Sequence, residues 1–345
     1  MFAAVAAYHN SFSGPFILDD LISITGNPSI RHLSPIGAVL SPPNPVGSGG
    51  RPLLNLTFAL NYACGGMSVR GYHVLNLLIH VLAGATLFGV VRRTLLQPGL
   101  HERFGASAKA LALSIAGLWT VHPLQTESVT YVSQRAESLM GLFYLLALYC
   151  LIRGARPAAP ATWPALAVAA CGAGMASKEV MVSAPLVLLL YDRTFLAGTF
   201  PEAWRQRWRL YVGLAATWLV LAYLAGSSRL QERGVGYGFG FTWWTYALTE
   251  CRVLVDYLKL AVWPHPLVLD YGAELVVRQG AQIWPQGFLS GDLVGSPLRL
   301  RLRRPSPDIS YLALQRSHSV SEYPPRRRRR LGIRANDKTA WRFCF

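Results

Sequence analysis

Two adjacent carboxylates, Asp19 and Asp20, lie inside the apolar, turn-rich stretch YHNSFSGPFILDDLISITGN (Tyr8–Asn27). A carboxylate near low-dielectric surroundings has a raised pKa, which suits a general base that takes a proton from a hydroxyl. The plain alternative is an acidic first turn of a helix, with no chemistry attached. Further ionisable groups collect in two short segments. HPLQTESVTYVSQRAES (His122–Ser138) carries His122, Glu127 and Arg135, and SKE (Ser177–Glu179) carries Lys178 and Glu179. Taken singly, each reads as an interfacial polar cap or an exposed charged turn. A third, Gly-rich stretch holds Arg229 and Glu232.

The elements that must position these residues read as membrane helices. Of the 345 residues 52% are hydrophobic and only 14% charged, against about a quarter charged in soluble domains. Few charges and several long apolar runs indicate a polytopic, all-α membrane protein. The formal charge of +16 is not a nucleic-acid signature: Gly291–Phe345 holds 13 Lys/Arg against 4 Asp/Glu, and the rest is spread over loops. No nucleic-acid partner is expected. The five cysteines, Cys64, Cys150, Cys171, Cys251 and Cys344, form no CxxC and suggest neither a disulfide framework nor a zinc site.

The N-terminal MFAAVAAYHN is too short to span and reads as the last turns of a helix. Residues 28–51, rich in Pro, Gly and Ser, read as a loop, and Arg51–Ala63 as a short interfacial helix with Pro52 in its first turn. Apolar runs follow at Tyr72–Val91, Ala106–Val121, Ser138–Ile152, Ala158–Ser177, Val180–Tyr191 and Leu210–Ser228. Phe239–Trp263 is apolar but holds Glu250, Arg252, Asp256 and Lys259, which can pair on one helix face. About six to eight spans are expected. The loops with Arg92, Arg93, Arg103 and Lys109, with Arg153 and Arg156, and with Arg193, Arg205, Arg207 and Arg209 share one parity, the cytoplasmic one by the positive-inside rule. Asp19, Asp20, His122, Glu127, Lys178, Glu179, Arg229 and Glu232 then share the opposite face.

Three regions result: 1–71, the end of a truncated first helix plus the loop with the Asp pair; 72–285, the helical core; and 286–345, a basic tail with no span. The five-arginine run Arg326–Arg330 reads as disordered, and Arg/Pro/Ser-rich text is also what a GC-rich gene gives out of frame. No function is assigned to it.

FILDDLISITGN, RPLLNLTFALNYACGGMSVRGYHVLNLLIHVLAG, LWTVHPLQTESVTYVSQRAESLMGLFYLLALY, MASKE and WPHPLVLDY, in this order and spacing over residues 8 to about 285, resemble the membrane half of the TMTC (transmembrane and tetratricopeptide-repeat) family. The resemblance implies a GT-C type glycosyltransferase bundle, incomplete here at both ends and without the repeats. It implies transfer from a polyprenyl-phosphate-linked sugar donor to a hydroxyl of a protein or glycan acceptor on the extracytoplasmic side. One of Asp19 and Asp20 would then be catalytic. A departing phosphate needs cationic or N–H donors where charge builds up, and Arg135, Lys178 and Arg229 are the candidates. His122, Glu127 and Glu179 could orient an acceptor or hold a cation. No cofactor is certain, and a divalent cation is one option. The membrane would be a bacterial inner membrane or the endoplasmic reticulum. A transporter and a non-catalytic scaffold are the rival classes. Against a transporter, the ionisable groups gather at one rim, no inverted repeat is visible, and the runs from 72 to 228 are almost free of charge.

Overall fold

The computed structural model describes residues 2–42, 48–227 and 243–268. Among them there is no strand. Twelve α-helices follow in order: α1 (Phe2–Tyr8), α2 (Ile36–Leu40), α3 (Pro52–Gly65), α4 (Val69–Leu95), α5 (Pro98–Phe104), α6 (Ala108–Val121), α7 (Thr126–Thr130), α8 (Arg135–Gly154), α9 (Thr162–Met175), α10 (Ala184–Phe195), α11 (Phe200–Ser227) and α12 (Trp243–Val262). The chain is an all-α, multi-pass membrane bundle. Among the described residues three helices are long and apolar enough to cross a membrane: Val69–Leu95, Val132–Gly154 and Phe200–Gly226. A fourth arises if α5 and α6, bent by 94° at their junction, are taken as one span. The other apolar runs fold as shorter helices, α9 with 14 residues and α10 with 12. That is why fewer full-length spans appear than the six to eight apolar runs suggest.

Local chemistry sets the breaks. Pro52 occupies the first turn of α3, where its missing N–H costs nothing. α3 stops at Gly66, whose φ of 58° few side chains tolerate. α6 stops at His122 because Pro123 pushes the preceding residue out of the helical region, and its ψ is 131°. Residues 28–51 are not wholly irregular, since a 3-10 turn (Pro28–Ile30) and α2 interrupt them.

α8 is the common wall of two cores. On one side Leu151, Met175, Met181, Leu188 and Leu214 join it to α9, α10 and α11. On the other Ile24, Phe58, Tyr72, Ile79 and Leu139 join it to α3, α4 and the loop that carries the Asp pair. Close approach at Gly89 of α4 permits this: an added Cβ would lie 2.7 Å from the Tyr149 ring of α8, the usual use of small residues between membrane helices. Outward-facing Leu113, Leu118, Leu190 and Leu219 are exposed, as lipid-facing residues must be. In α12, Asp256 lies 3.2 Å from Lys259 and 4.0 Å from Arg252, the face-sharing pairs that the spacing suggests.

Candidate active site

The segment carrying the Asp pair is clamped from three directions. Asn27, Ser48 and Asn55 form a buried cluster: Asn27 Nδ2 donates to Asn55 Oδ1 (2.8 Å), and Ser48 Oγ to the same oxygen (2.7 Å). This fixes the loop onto α3. His73 of α4 reaches the Gly14 carbonyl at 3.1 Å. Asp20 is buried, and its carboxylate accepts from Ile17 N (3.2 Å), Ser133 N (2.7 Å) and the Ser133 hydroxyl. Burial raises the Asp20 pKa above its ordinary 3.8, although the Ser133 and Ile17 hydrogen bonds and nearby His73 act in the opposite direction.

Asp19, its neighbour, is exposed. Leu18 just before it has φ 44°, a left-handed conformation unusual for a leucine. The Asp19 N–H donates to the Tyr131 hydroxyl at 2.8 Å. The pair therefore divides: Asp20 turns inward and locks the loop to the start of α8, and Asp19 is left at the surface beside a phenol. Burial pushes the Tyr131 pKa up to about 12, and the negative charges of Asp19, Asp20 and Glu127 add to that. The phenol thus stays neutral over the whole physiological range.

The segment between α6 and α8 is held just as firmly. His122 caps the turn after α6, its Nδ1 accepting from Leu124 N at 3.2 Å, and its Nε2 lies 3.2 Å from the Ala261 carbonyl of α12. Asn76 Nδ2 donates to the Val129 carbonyl (3.3 Å), and Ser138 Oγ to the Ser128 carbonyl (2.6 Å). Glu127 lies at the surface and accepts from Gln134 Nε2 at 3.1 Å. Partial burial of its carboxyl raises its pKa, Glu137 adds to that, and Gln134 and Lys178 oppose it. Lys178 makes an ion pair with Glu137, and Glu179 makes one with Arg51 at 3.1 Å. The backbone joins these regions as well, Leu53 N donating to the Ala176 carbonyl at 3.2 Å.

One expectation needs correction. Arg135 is not at the rim but fully buried. Its Nε donates to Asn76 Oδ1 (2.6 Å), one terminal nitrogen to Thr57 Oγ1 (3.2 Å) and the other to the Tyr72 carbonyl (2.9 Å). The guanidinium also lies over the Phe58 ring, 4.8 Å from its centre. Each of its three nitrogens makes a hydrogen bond, which joins α3, α4 and α8, and its full burial keeps it from a phosphate at the rim. The physical reason is that a planar fork bonded through each nitrogen and stacked on aromatics can be buried where a lysine cannot. Arg229, Glu232 and the tail from 286 lie outside the described residues. Among the described residues no group of three or more His, Cys, Asp and Glu side chains is arranged to hold a metal ion.

The structure thus places Asp19 against Tyr131, Asp20 and Glu127 within electrostatic reach of that phenol, and Lys178 within electrostatic reach of Glu127. Tyr131, Ser133, Arg51 and Glu137 complete the rim without standing out in the sequence. Tyr131 and Ser133 lie 112 and 113 positions from the aspartates that they bind, so no local spacing betrays them. Glu137 had a signal, a carboxylate two positions after Arg135 on the same polar segment.

No family model matches the sequence, and no solved structure matches it. Curated proteins do. Protein O-mannosyl-transferase Tmtc1 of Drosophila melanogaster is 28% identical over 307 residues, covering 80% of this chain and 34% of that protein. Protein O-mannosyl-transferase Tmtc2 of the same fly is 29% identical over 295 residues, 80% of this chain and 30% of that protein. Human protein O-mannosyl-transferase TMTC4 is 34% identical over 166 residues, 43% of this chain and 22% of that protein. The chain is therefore similar to TMTC proteins over most of its own length, and spans about a third of the length of the two fly relatives.

Proposed function

We propose that this chain is the membrane part of a glycosyltransferase of the TMTC kind. It transfers a sugar from a polyprenyl-phosphate-linked donor to a hydroxyl of a protein or glycan acceptor, on the extracytoplasmic side, with Asp19 as general base. The observation that carries the reading is the division of the Asp pair: one carboxylate buried and locked, the next exposed on a left-handed turn beside neutral Tyr131. The relatives' names supply the reaction class.

In this reading the acceptor hydroxyl gives its proton to the Asp19 carboxylate as its oxygen attacks the anomeric carbon. The bond from that carbon to the phosphate oxygen breaks, and the phosphate leaves with its electron pair. Lys178 and Arg51, each already paired with a glutamate, offer positive charge to that phosphate by exchanging partners. Glu127 and His122 border the acceptor side. Asp20 acts as a positioning residue: its bonds to Ser133 and Ile17 hold the backbone that presents Asp19.

Asp19→Asn keeps the size and the backbone contact to Tyr131 while removing the base. Transfer of mannose from polyprenyl-phosphate mannose to a Ser/Thr peptide, in membranes carrying the protein, is expected to fall by about 10²–10⁴, with insertion and thermal stability unchanged. Wild-type transfer by this variant would sink Asp19 as the base.

A further inference from the structure

Away from the Asp pair, a cavity of about 330 Å³ opens between the turn after α1 and the start of α4, lined by His9, Phe12, Ser13, Arg70 and Val74. Its polar lining is a guanidinium, an imidazole and a hydroxyl, with no carboxylate. Arg70 is exposed and has no hydrogen bond or ion pair among the described residues. His9 uses Nδ1 on the Ala6 carbonyl (2.8 Å), and its Nε2 carries no hydrogen bond among the described residues. An anion fits this set of donors.

Beyond the cavity, α4 carries an exposed apolar stripe. Val74, Leu78 and Leu82 are 52%, 49% and 44% exposed and follow Arg70 at four-residue steps, so all four share one stripe of α4. From Arg70 to Leu82 the helix rises about 18 Å at 1.5 Å per residue. One leaflet of a roughly 30 Å hydrocarbon core is about 15 Å deep. Arg92 and Arg93 mark the far end of the same helix, so the Arg70 end lies at one membrane surface. A cation at the surface above a one-leaflet apolar stripe matches a phosphate head with a hydrocarbon tail.

We propose that this cavity is a binding site for the phosphate of a membrane lipid. Arg70 pairs with the phosphate, His9 and Ser13 donate to it, and the lipid chain lies along Val74, Leu78 and Leu82. Capture here needs no sugar transfer, so a chain inactive in transfer still serves as the test object.

The test is native mass spectrometry of the purified chain in detergent. The probes are phosphatidic acid, a polyprenyl monophosphate, their dephosphorylated forms diacylglycerol and polyprenol, and inorganic phosphate. Retention of a phosphorylated lipid but not its dephosphorylated form is expected. Arg70→Gln should weaken retention at least about tenfold, as loss of a charge-assisted contact implies. Val74→Trp, which fills the cavity mouth, should do the same, whereas Arg103→Gln should not. Retention of phosphatidic acid alone points to a bilayer phospholipid, and of polyprenyl phosphate alone to a carrier lipid; either supports the site. Undiminished retention by both Arg70→Gln and Val74→Trp overturns it. So does inorganic phosphate competing as well as the lipids, because the apolar stripe would then contribute nothing.

Discussion

Two buried aspartates stand at opposite ends of the bundle and are treated differently. Asp192, at the end of α10, faces a cation: Arg207 approaches its two oxygens at 2.8 and 3.1 Å, and the Tyr211 hydroxyl donates to it as well. Arg207 sits at a break in α11, with φ −136° and ψ 29°, which turns its side chain out of the helical pattern. Asp20, at the other end, accepts only from neutral donors, two backbone N–H groups and a hydroxyl. α4 connects the two levels, touching the Asp20 side through His73 and the Asp192 side through Thr94, whose hydroxyl lies 2.5 Å from that of Tyr191. Its 27 residues span about 40 Å. An ion-paired carboxylate closes a fold. One held by hydrogen bonds without a contact ion pair keeps a proton-dependent character, and here it supports an exposed carboxylate next to it.

The comparison breaks most visibly at Asp192. Asp192→Asn strands the mostly buried Arg207 charge, so a loss of about 3–5 kcal/mol is expected in unfolding from detergent. Asp20→Asn breaks no contact ion pair, although it removes the negative charge that acts at a distance on His73 and the buried Arg135, and should cost less. Its pH response also differs. Because the folded pKa of Asp20 is raised, the folded state holds that proton more tightly. The contribution of Asp20 to stability therefore falls as pH rises from about 3.8 through the raised folded value. Asp20→Asn should flatten that slope. Equal destabilisation by the two asparagines would erase the distinction.

Smaller effects sharpen it. Ser133→Ala removes the hydroxyl from Asp20 and leaves the backbone donor, so a loss of about 1–3 kcal/mol is expected, with a further rise in the Asp20 pKa. Carboxyl infrared difference spectra across a pH titration follow that rise, and an unchanged band would show the hydroxyl contributes nothing. Tyr131→Phe deletes one acceptor of the Asp19 N–H, worth about 0.5–1.5 kcal/mol. Since the Tyr131 pKa is pushed up to about 12, the phenolate absorbance of wild type and Tyr131→Phe should coincide below about pH 11. A difference near pH 10 would place that phenol in water.

Much of this architecture could be read from residue order. Uncharged runs ending in Arg92–Arg93 or Arg153 announce α4 and α8, and His122-Pro123 announces the end of α6. The Asp pair stood out because two carboxylates are rare in so apolar a setting. Which of the two faces outward could not be read, since it depends on Ser133 and Tyr131 arriving from over a hundred residues away. Arg135 misled for a related reason. Its neighbours Ser133, Gln134 and Glu137 are polar, so the local pattern points to a surface. The partners that allow its burial, Asn76, Thr57 and Phe58, lie on other helices.

The Arg135 contact has a mechanical consequence. α8 begins at that residue and runs for 20 residues, about 30 Å. A rod pinned at one end accommodates a change of tilt by swinging its free end. A 5° swing displaces the far tip by about 2.6 Å over a rod of that length, while the pinned end barely translates. Ser133, two positions before the pivot, hardly moves, and neither does the aspartate bonded to it. Bilayers of unequal thickness, which membrane helices meet by tilting, would thus be absorbed where α8 meets α9, far from the Asp pair.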